Sequence, residues 1–455
     1  VVEKIKARLS NFRVGDPLDK TMDMGAIVDP VQLERIADMV DKGEEEGATI
    51  WQPEFNCPDK GCYYPPTLVT DVSPCNTLVR DEIFGPVLTV MTFRTLKEAA
   101  DLANNTRFGL AASIWSENIN RALEISSMVK AGVVWVNTTN QFDAACGFGG
   151  YRESGFGREG GKEGMYEYMK PKGEWLGSEG NLVDAPAPNK VANDVGLKAI
   201  DQTAKNYVGG KQARPDGGNT VTVLTHDGKI AGRVGEGNRK DIRNAVEAAY
   251  KNAGWSSATA HNRAQVIYYI AENLSYREDE IIARLVTLTG VTKKAAKAEF
   301  DMAVSRLFSY GAWADKFDGM VHTPPLKNVA LAVNEPIGIM GIVCPDVMPL
   351  LSFVSLVAPA IAMGNRTVVI PSQRYPLLAT DFYQILETSD LPAGVINIVT
   401  GERDELAGVL AKHDQVEALW YHGSAEGSAM IEKESAANLK RTWVNNGKAR
   451  DWLSS

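Results

Sequence analysis

The sequence predicts an α/β protein built from open, largely parallel β-sheets with helices packed on their faces. Segments with helical periodicity alternate with β-rich segments through most of the 455 residues, and from Val329 onward only short polar turns separate them. Hydrophobic residues make up 44% of the chain and charged residues 23%, which is an ordinary globular composition. Alternating strands and helices favour right-handed βαβ crossovers, and these crossovers generate parallel sheets.

In the first part of the chain, helical and β-rich segments alternate. The helices are predicted at Val31–Val40, Leu96–Ala103 and Ile119–Val129, and the strands at Val87–Phe93 and Gly132–Val136. Val1 already lies in an amphipathic segment, so we expect the natural polypeptide to begin upstream of it. A glycine-dense stretch follows at Gly147–Gly161.

A polar segment that contains prolines, Lys170–Lys190, divides the chain. Its Asp-Ala-Pro-Ala-Pro-Asn run is typical of a linker, because such residues neither continue a helix nor fill a core. We therefore predict one unit at residues 1–171, a linker at 172–200 and a second unit at 201–455.

The second unit is predicted to contain hairpin strands, then long helices, then an α/β domain. The hairpin strands lie at Tyr207–Pro215 and Val221–Val234, and the helices at Arg239–Asn252, Asn262–Asn273, Glu278–Thr289 and Thr292–Phe317. From about 329 to 445 the predicted order is strand Ile337–Val343, helix Leu350–Met363, strand Thr367–Ile370, helix Leu377–Glu387, strand Val395–Val399, helix Glu405–Lys412 and strand Val416–Tyr421. This order predicts a Rossmann-like domain of the nucleotide-binding type.

Composition and charge argue against several classes of partner and site. With 48 Lys and Arg against 57 Asp and Glu, the net charge is −9, which argues against nucleic acid as a partner. The longest apolar stretch, Leu350–Met363, is too short to span a membrane, so no membrane association is expected. The five cysteines show no metal-finger spacing, so we predict no metal site and a cytoplasmic location.

Two short motifs have competing interpretations. Gly155, Gly157 and Gly160 match the dinucleotide-binding fingerprint, but that fingerprint functions only where a strand ends and a helix begins. No strand pattern precedes these glycines, so we predict a structural turn. Glu82–Val87 combines an acidic residue, an aromatic ring and a Gly-Pro turn, and on spacing alone it could start a strand or form part of a site.

Several motifs of the first unit occur together and in a fixed order. They are Glu82–Val87, Asn104–Ala112, Gly132–Asn137 and Phe148–Glu159. In this order they resemble the C-terminal half of the aldehyde dehydrogenase superfamily. Gly15–Pro17 and Tyr63–Thr67 extend the resemblance over nearly all of residues 1–175.

The second unit contains a different set of motifs. They are Glu335–Ile339, Ala358–Asn365, Pro392–Val399, Gly423–Ser424 and Asn438–Arg441. These motifs resemble the N-terminal half of the same superfamily, so the chain is ordered C-terminal half, linker, N-terminal half. This order is similar to the junction in the tandem, double-unit branch, aldehyde dehydrogenase family sixteen, where a complete unit precedes a degenerate one.

The resemblance implies a fold, a cofactor and two cofactor-binding residues. It implies aldehyde dehydrogenase-like units with strands near Glu167–Pro171 and Tyr207–Pro215 that bridge domains or subunits, and hence a homodimer. It also implies NAD or NADP as the cofactor of the first unit and an aldehyde as the parent's substrate. Glu82 would bond the nicotinamide ribose and Phe84 would rest against the nicotinamide ring. No cofactor is expected in the second unit.

The groups that the family's chemistry requires do not stand at the matching positions. That chemistry needs a cysteine thiolate, an oxyanion donor and a general base. In the family pattern the thiol lies upstream of the position of Val1. In the second unit, Val347 stands at the position of the oxyanion amide and Val444 at that of the base, while Ile370 and Gln373 replace the adenosine-ribose contacts. We therefore assign no catalytic residue.

Three further residues were considered as replacements for these groups. Cys344 ends an apolar strand and is expected to be a small buried hydrophobe. Cys146 precedes the glycine-dense stretch, but no cationic residue stands close in sequence to lower the pKa of its thiol. His422 is expected to be structural.

These observations lead to one main hypothesis and two rivals. The main hypothesis is that the parent polypeptide oxidises aldehydes to acids with NAD or NADP, and that this chain alone is not catalytic. The alternative is a non-catalytic pseudoenzyme that acts as a scaffold or regulator for protein partners. A circularly permuted single-unit enzyme also fits the order of the halves, but it would require a nucleophile after Val444.

Overall fold

The structure is a computed structural model that describes residues 1–54, 57–58, 60–169, 202–317, 319–325 and 328–454. The predicted linker at 172–200 lies outside these described residues. The chain divides into two compact units, Val1–Glu167 and Tyr168–Ser455. Each unit contains its own clusters of buried apolar side chains.

Short helices and short strands alternate in the first unit. Its helices are α1 (Val2–Leu9), α2 (Pro30–Glu45), α3 (Thr77–Arg80), α4 (Leu96–Ala103), α5 (Ile119–Met128) and α6 (Gly161–Tyr166). Its strands are β1 (Thr49–Trp51), β2 (Thr67–Thr70), β3 (Val87–Thr89), β4 (Ala111–Ile114), β5 (Val133–Val136), β6 (Phe148–Gly149) and β7 (Arg158–Glu159).

Side chains that cap the helices explain where α2, α4 and α5 begin. Asp29 accepts a hydrogen bond from the first turn of α2, and Pro30 occupies the first helical position. Thr95 caps α4 and Asn118 caps α5 in the same way. The three helices predicted in this unit are confirmed.

The sheets of the first unit are smaller than the sequence suggested. β2 pairs with β1 in antiparallel and with β3 in parallel orientation, β4 and β5 form a parallel pair, and β6 and β7 form an antiparallel pair. The predicted strand Val87–Phe93 already ends at Thr89, where its pairing with β2 ends. A small core that includes Ile36, Val40 and Ile83 joins α2 to these strands.

The second unit contains larger helices and the main sheet. Its helices are α7 (Arg239–Lys251), α8 (Gly254–Ser257), α9 (Ala260–Ser275), α10 (Glu278–Thr289), α11 (Lys293–Trp313), α12 (Pro349–Ala362), α13 (Leu377–Asp381), α14 (Tyr383–Glu387), α15 (Arg403–Lys412) and α16 (Ala425–Glu434). Its strands are β8 (Asn206–Val208), β9 (Lys211–Ala213), β10 (Thr220–Leu224), β11 (Ile230–Gly235), β12 (Met320–His322), β13 (Ala330–Ala332), β14 (Ile339–Val343), β15 (Arg366–Ile370), β16 (Ile396–Ile398), β17 (Ala418–Tyr421) and β18 (Arg441–Val444).

A seven-stranded sheet forms the centre of the second unit, in the order β18-β17-β14-β15-β16-β8-β9. The first five strands of this order are parallel, and the β8–β9 hairpin joins the edge at β16 in antiparallel orientation. The chain runs outward from β14 to β16 and then returns to the other side of β14 as β17. The strand order therefore reverses between β14 and β17, and the predicted α/β class is confirmed.

Helix α12 lies inside the second unit because it is apolar on nearly every side. It packs against α9, α11 and β15. Its N-terminus is capped from α11, since the Glu299 carboxylate accepts hydrogen bonds from the backbone nitrogens of Leu350 and Leu351 at 3.0 and 3.2 Å.

The region after β15 differs from the prediction. The predicted helix Leu377–Glu387 is divided into α13 and α14. Arg277 of α10 donates a 3.0 Å hydrogen bond to the carbonyl of Asp381, which occupies an acceptor that a continuous helix would use. Helix α16 and strand β18 were absent from the sequence prediction.

The strands that were expected to bridge domains or subunits need a correction. The segment Tyr207–Pro215 supplies β8 and β9, which extend the sheet of their own unit. Tyr207 is buried and its ring stacks on Tyr383 at 5.0 Å, so the hairpin is anchored in that unit's core. Residues 167–169 form no strand, and residues 170–171 lie outside the described residues.

In the part of the chain that the structure describes, no helix has both the length and the apolarity that a membrane span requires.

Candidate cofactor-facing site

The loop between α3 and β3 carries Glu82 and Phe84, the two residues assigned to cofactor binding from the sequence. Ile83 between them is buried in the core of the first unit. Gly85 lies so close to α2 that a Cβ atom on it would be 2.5 Å from Cδ1 of Ile36. The loop is therefore pressed against α2 on its inner side.

Glu82 and Phe84 are both exposed on the outer side of this loop. The Phe84 side chain is 69% exposed, and its backbone φ of +55° lies in the left-handed region that bulky residues rarely adopt. An exposed ring offers a flat apolar face, and an exposed carboxylate accepts hydrogen bonds from two hydroxyls. The assignment of Glu82 and Phe84 to cofactor binding stays a prediction.

Gln32, in the first turn of α2, holds the backbone of the same loop. Its Nε2 donates hydrogen bonds to the carbonyls of Ile83 and Phe84 at 3.0 and 3.2 Å. The backbone nitrogen of Gln32 in turn donates to the Asp29 carboxylate at 2.7 Å. The sequence analysis missed Gln32, because no local pattern indicates which loop a glutamine 51 positions away contacts.

The other motifs that carry the resemblance form a hydrogen-bonded framework within the first unit. The guanidinium of Arg152 donates to the carbonyls of Asn104 and Thr106 just beyond α4. The Asn104 side chain accepts from the backbone nitrogen of Lys130 at 2.7 Å, and Ser154 Oγ accepts from the Gly109 nitrogen at 3.0 Å. These contacts account for the motifs as loop anchors.

The glycine-dense stretch is a turn, as predicted. β6 and β7 form an antiparallel hairpin. Gly155 lies between the two strands at φ +80°, and Gly160 follows β7 at φ +71°. Glycine adopts such angles without steric cost. The Gly155–Gly160 motif spans β7 and ends at Gly160 before α6, whereas the dinucleotide-binding fingerprint begins where its strand ends.

Neither of the two thiols considered from the sequence has the environment of a nucleophile. Partial burial raises the pKa of the Cys146 thiol, and the nearby carboxylates of Asp143 and Glu163 raise it further. Complete burial raises the pKa of Cys344 to about 12. A reactive cysteine requires a lowered pKa and access, so both environments favour the protonated, unreactive thiol.

In the second unit, the positions that replace family contacts lie at or just beyond the carboxyl ends of the parallel strands. Ile370 ends β15 and is fully buried, and Val444 ends β18. Val347 is exposed in the loop before α12. The side chains of these three residues can neither donate nor accept a hydrogen bond.

An ion pair whose side chains are 12% and 17% exposed lies at the same edge of the sheet. Nη2 of Arg403 is 2.6 Å from Oδ2 of Asp346. Asp346 also accepts hydrogen bonds from Ser372 Oγ at 2.6 Å and from the Arg374 nitrogen at 3.0 Å. Burial alone would raise the pKa of Asp346, but the guanidinium and these hydrogen bonds outweigh it and lower the pKa. Gln373 accepts from the Arg403 nitrogen at 3.1 Å.

His422 lies at the point where the strand order reverses, directly after β17. It is 2% exposed, and its ring lies 4.7 Å from Trp443 and 5.3 Å from Trp452, measured between ring centroids. Burial, with smaller contributions from the cationic Arg450 and Arg403, lowers its pKa to about 3. A neutral imidazole packed against two tryptophan rings supports the structural role expected from the sequence.

That the second unit binds no cofactor stays a prediction. Sheets of this type bind ligands in the crevice at the carboxyl ends of their strands. Here Asp346 pairs with Arg403 and Ser372, and Gln373 accepts from the Arg403 nitrogen. In contrast, Nε of Arg403 and both ring nitrogens of His422 are buried without a hydrogen-bond partner among the described residues. The aromatic rings of Trp443 and Trp452 pack at the reversal point. We assign no chemical step to the second unit.

Among the described residues, no three His, Cys, Asp or Glu side chains stand close enough together to hold a metal ion.

Comparison with known sequences matches both units to one family. The sequence profile described as "Aldehyde dehydrogenase family" matches residues 1–173 and 214–450. Aldehyde dehydrogenase family 2 member C4 from Arabidopsis thaliana is 41% identical over 172 residues, which is 38% of this chain and 34% of that protein. Betaine aldehyde dehydrogenase from Brucella anthropi is 38% identical over 189 residues, covering 41% and 38% of the two chains.

Solved structures of the same family share the fold. Betaine aldehyde dehydrogenase from Staphylococcus aureus in complex with NAD+ superposes with a TM-score of 0.52 at 25% identity, over 53% of this chain and 49% of that one. An NAD-dependent aldehyde dehydrogenase from Sinorhizobium meliloti superposes with the same score and identity, over 54% and 50%. The alignments thus span about a third of the length of these curated relatives and about half of the solved structures.

Proposed function

Because the chain belongs to the aldehyde dehydrogenase family, we propose that it spans the junction of two such units in a tandem polypeptide of the family-sixteen kind. Residues 1–171 are the rear, catalytic-domain half of the first unit, residues 172–200 link the units, and residues 201–455 belong to a degenerate second unit with a Rossmann-like domain at about 329–445. The order of the family motifs along the chain supports this proposal.

In this proposal the parent oxidises aldehydes to acids, and the first unit contributes to its cofactor site. NAD or NADP, when bound, supplies the acceptor for the hydride that leaves the substrate. Glu82 accepts hydrogen bonds from the ribose hydroxyls, and the Phe84 ring orients the nicotinamide by packing against one face. Support comes from the exposure of both side chains on a loop that is fixed against α2.

The same proposal holds that this chain does not oxidise aldehydes by itself. The observation that carries it is the state of the thiols, since partial burial and two carboxylates favour the neutral form of Cys146 and full burial does so for Cys344. In its neutral form, neither of these two thiols can attack the aldehyde carbon to form a covalent intermediate. Val347 and Val444 further remove the donor and the base from the second unit.

The test is NAD(P)H formation by the purified chain with short, long and aromatic aldehydes. We expect no aldehyde-dependent rise in absorbance at 340 nm with either cofactor. Cys146→Ser and Cys344→Ser serve as matched variants. Turnover by the wild-type chain that either substitution abolishes would contradict the proposal and identify the nucleophile.

A pseudoenzyme scaffold or regulator remains the alternative function. The observation that favours it is the second unit's crevice, where the Arg403–Asp346 pair and apolar side chains occupy the region in which such sheets bind ligands. The two functions differ in the full-length polypeptide. Aldehyde-dependent reduction of NAD+ by it favours the enzyme, and its absence together with a stable protein complex favours the scaffold.

We also propose a cytoplasmic homodimer. β12 and β13 form a two-stranded ribbon on which the paired residues Val321 and Leu331 are 72% and 60% exposed. Exposed apolar side chains on a ribbon are typical of an interface, which supports the homodimer. The free state of all five cysteines fits a reducing compartment, which supports the cytoplasmic location. Light scattering should give twice the monomer mass, and a monomer at every concentration would contradict the dimer.

A further inference from the structure

The left-handed backbone conformation of Phe84 requires contacts other than those of its own side chain. Phe84 adopts φ +55° with its ring exposed, so burial of the ring does not hold it there. A bulky residue persists in the left-handed region only when its surroundings determine the backbone conformation. Hydrogen bonds to the carbonyls of Ile83 and Phe84, which flank the Phe84 torsions, can restrict this conformation.

Both of those carbonyls accept hydrogen bonds from one side chain. Gln32 Nε2 lies 3.0 Å from the carbonyl oxygen of Ile83 and 3.2 Å from that of Phe84. The Ile83 and Phe84 carbonyls flank the φ and ψ torsions of Phe84, so a single donor that bonds both restricts these torsions together. Gln32 is itself fixed, since its backbone nitrogen bonds the Asp29 cap of α2.

We propose that Gln32 is a positioning residue for the cofactor-facing loop, which it holds in the conformation that presents the Phe84 ring to the nicotinamide. It acts through Phe84 by donating both carboxamide hydrogens to the loop. This inference rests on the proposed function for its cofactor, but its geometric part is independent of any ligand.

Gln32→Glu tests this role directly, because it keeps the shape of the side chain and removes the Nε2 donor. Glutamate at the third helical position also suits a helix capped by aspartate, so α2 should remain folded. Gln32→Met removes the polar group altogether and excludes an effect of the added charge. Gln212→Glu, at an exposed position of β9 in the second unit, is the matched control.

Hydrogen–deuterium exchange of the full chain, followed by mass spectrometry, tests the proposal. In both Gln32 variants we expect the amides of Ile83, Phe84, Gly85 and Val87 to exchange about tenfold faster than in the wild type. Exchange in the rest of α2 should be unchanged, and the control should show no change. Unchanged exchange of this loop in both variants would overturn the positioning role.

A second arm separates this role from the proposed function. With millimolar NAD+ we expect slower exchange of the loop in the wild type and in the control, and less slowing in the two Gln32 variants. ADP-ribose, which keeps the ribose that Glu82 bonds but lacks the nicotinamide ring, should slow exchange of the wild-type loop less than NAD+ does. If NAD+ has no effect on the wild-type loop, the cofactor role of Glu82 and Phe84 fails, and the comparison without cofactor still decides the role of Gln32.

Discussion

Arg403 and Asp346 form an ion pair that joins the regions beyond the carboxyl ends of β14 and β16 across the intervening strand β15. Asp346 follows β14, and Arg403 begins the helix that follows β16. Because both side chains are largely removed from water, their attraction is only weakly screened, and each depends on the other for its charge to be compensated.

Removal of one partner of this pair should therefore destabilise the second unit strongly. Arg403→Met leaves the Asp346 carboxylate buried without its cation, at a cost of about 3–5 kcal/mol in the free energy of unfolding. Urea denaturation followed by circular dichroism measures this cost. Arg243→Met, which breaks a more exposed pair with Glu247, should change stability by at most about 0.5 kcal/mol. Equal effects of the two substitutions would contradict a buried pair.

Glu299 should make the stability of the second unit depend on pH. Burial raises the pKa of this carboxyl to about 7, against the hydrogen bonds from Leu351 and Leu350 that lower it. The folded protein therefore binds a proton more tightly than the unfolded chain, whose glutamate pKa is about 4.3. Between these two values stability falls as pH rises, by an amount on the order of 3 kcal/mol, and above about 7 the contribution is constant.

Glu299→Gln isolates this effect because the amide keeps an acceptor oxygen and cannot ionise. Unfolding free energies at pH 5 and pH 8 should show the variant gaining on the order of 2–3 kcal/mol relative to the wild type as pH rises. Glu272→Gln, on an exposed face of α9, should leave the pH dependence as it is. A Glu299→Gln variant with the wild-type pH dependence would rule out the raised pKa.

The cysteines should differ in reactivity in the native protein. At pH 8 iodoacetamide should modify the exposed Cys75 first and Cys146 more slowly, since burial and nearby carboxylates raise the pKa of the latter. Cys344 should react only after denaturation. Peptide mass spectrometry over a time course measures the order, and modification of Cys146 ahead of Cys75 would indicate an activated thiol.

Gly85 should be required for the cofactor-facing loop to pack against α2. In Gly85→Ala the new Cβ would meet Cδ1 of Ile36 at 2.5 Å, so the buried Ile36 side chain, the loop or α2 must shift, at a cost of about 1–3 kcal/mol. Thermal unfolding of the first unit measures the loss. Gly157→Ala is the control, because the nearest atom to its Cβ lies at 3.8 Å. Similar losses for both variants would argue against the close contact with α2.

Local periodicity was sufficient to predict most helices and the alternation of strands and helices along the second unit. Helix α4 was predicted to the residue because Thr95 caps it and its apolar positions repeat regularly. The division of α13 from α14 could not be predicted, since it depends on Arg277, which is 104 positions from the carbonyl that it bonds. The extent of β3 likewise depends on where its pairing with β2 ends.

For the site, the sequence by itself determined which residue types occur at each motif. It thereby gave the family, the hypothesis that Glu82 and Phe84 bind a cofactor, and the prediction that Val347 and Val444 stand where the family has a donor and a base. Only the tertiary structure decided that Gln32 holds the Phe84 backbone, that Cys344 is completely buried, and that Arg403 neutralises Asp346. Each of these depends on contacts between residues distant in sequence. Such contacts form only when the sheet and helices pack, and no local pattern of residues encodes them.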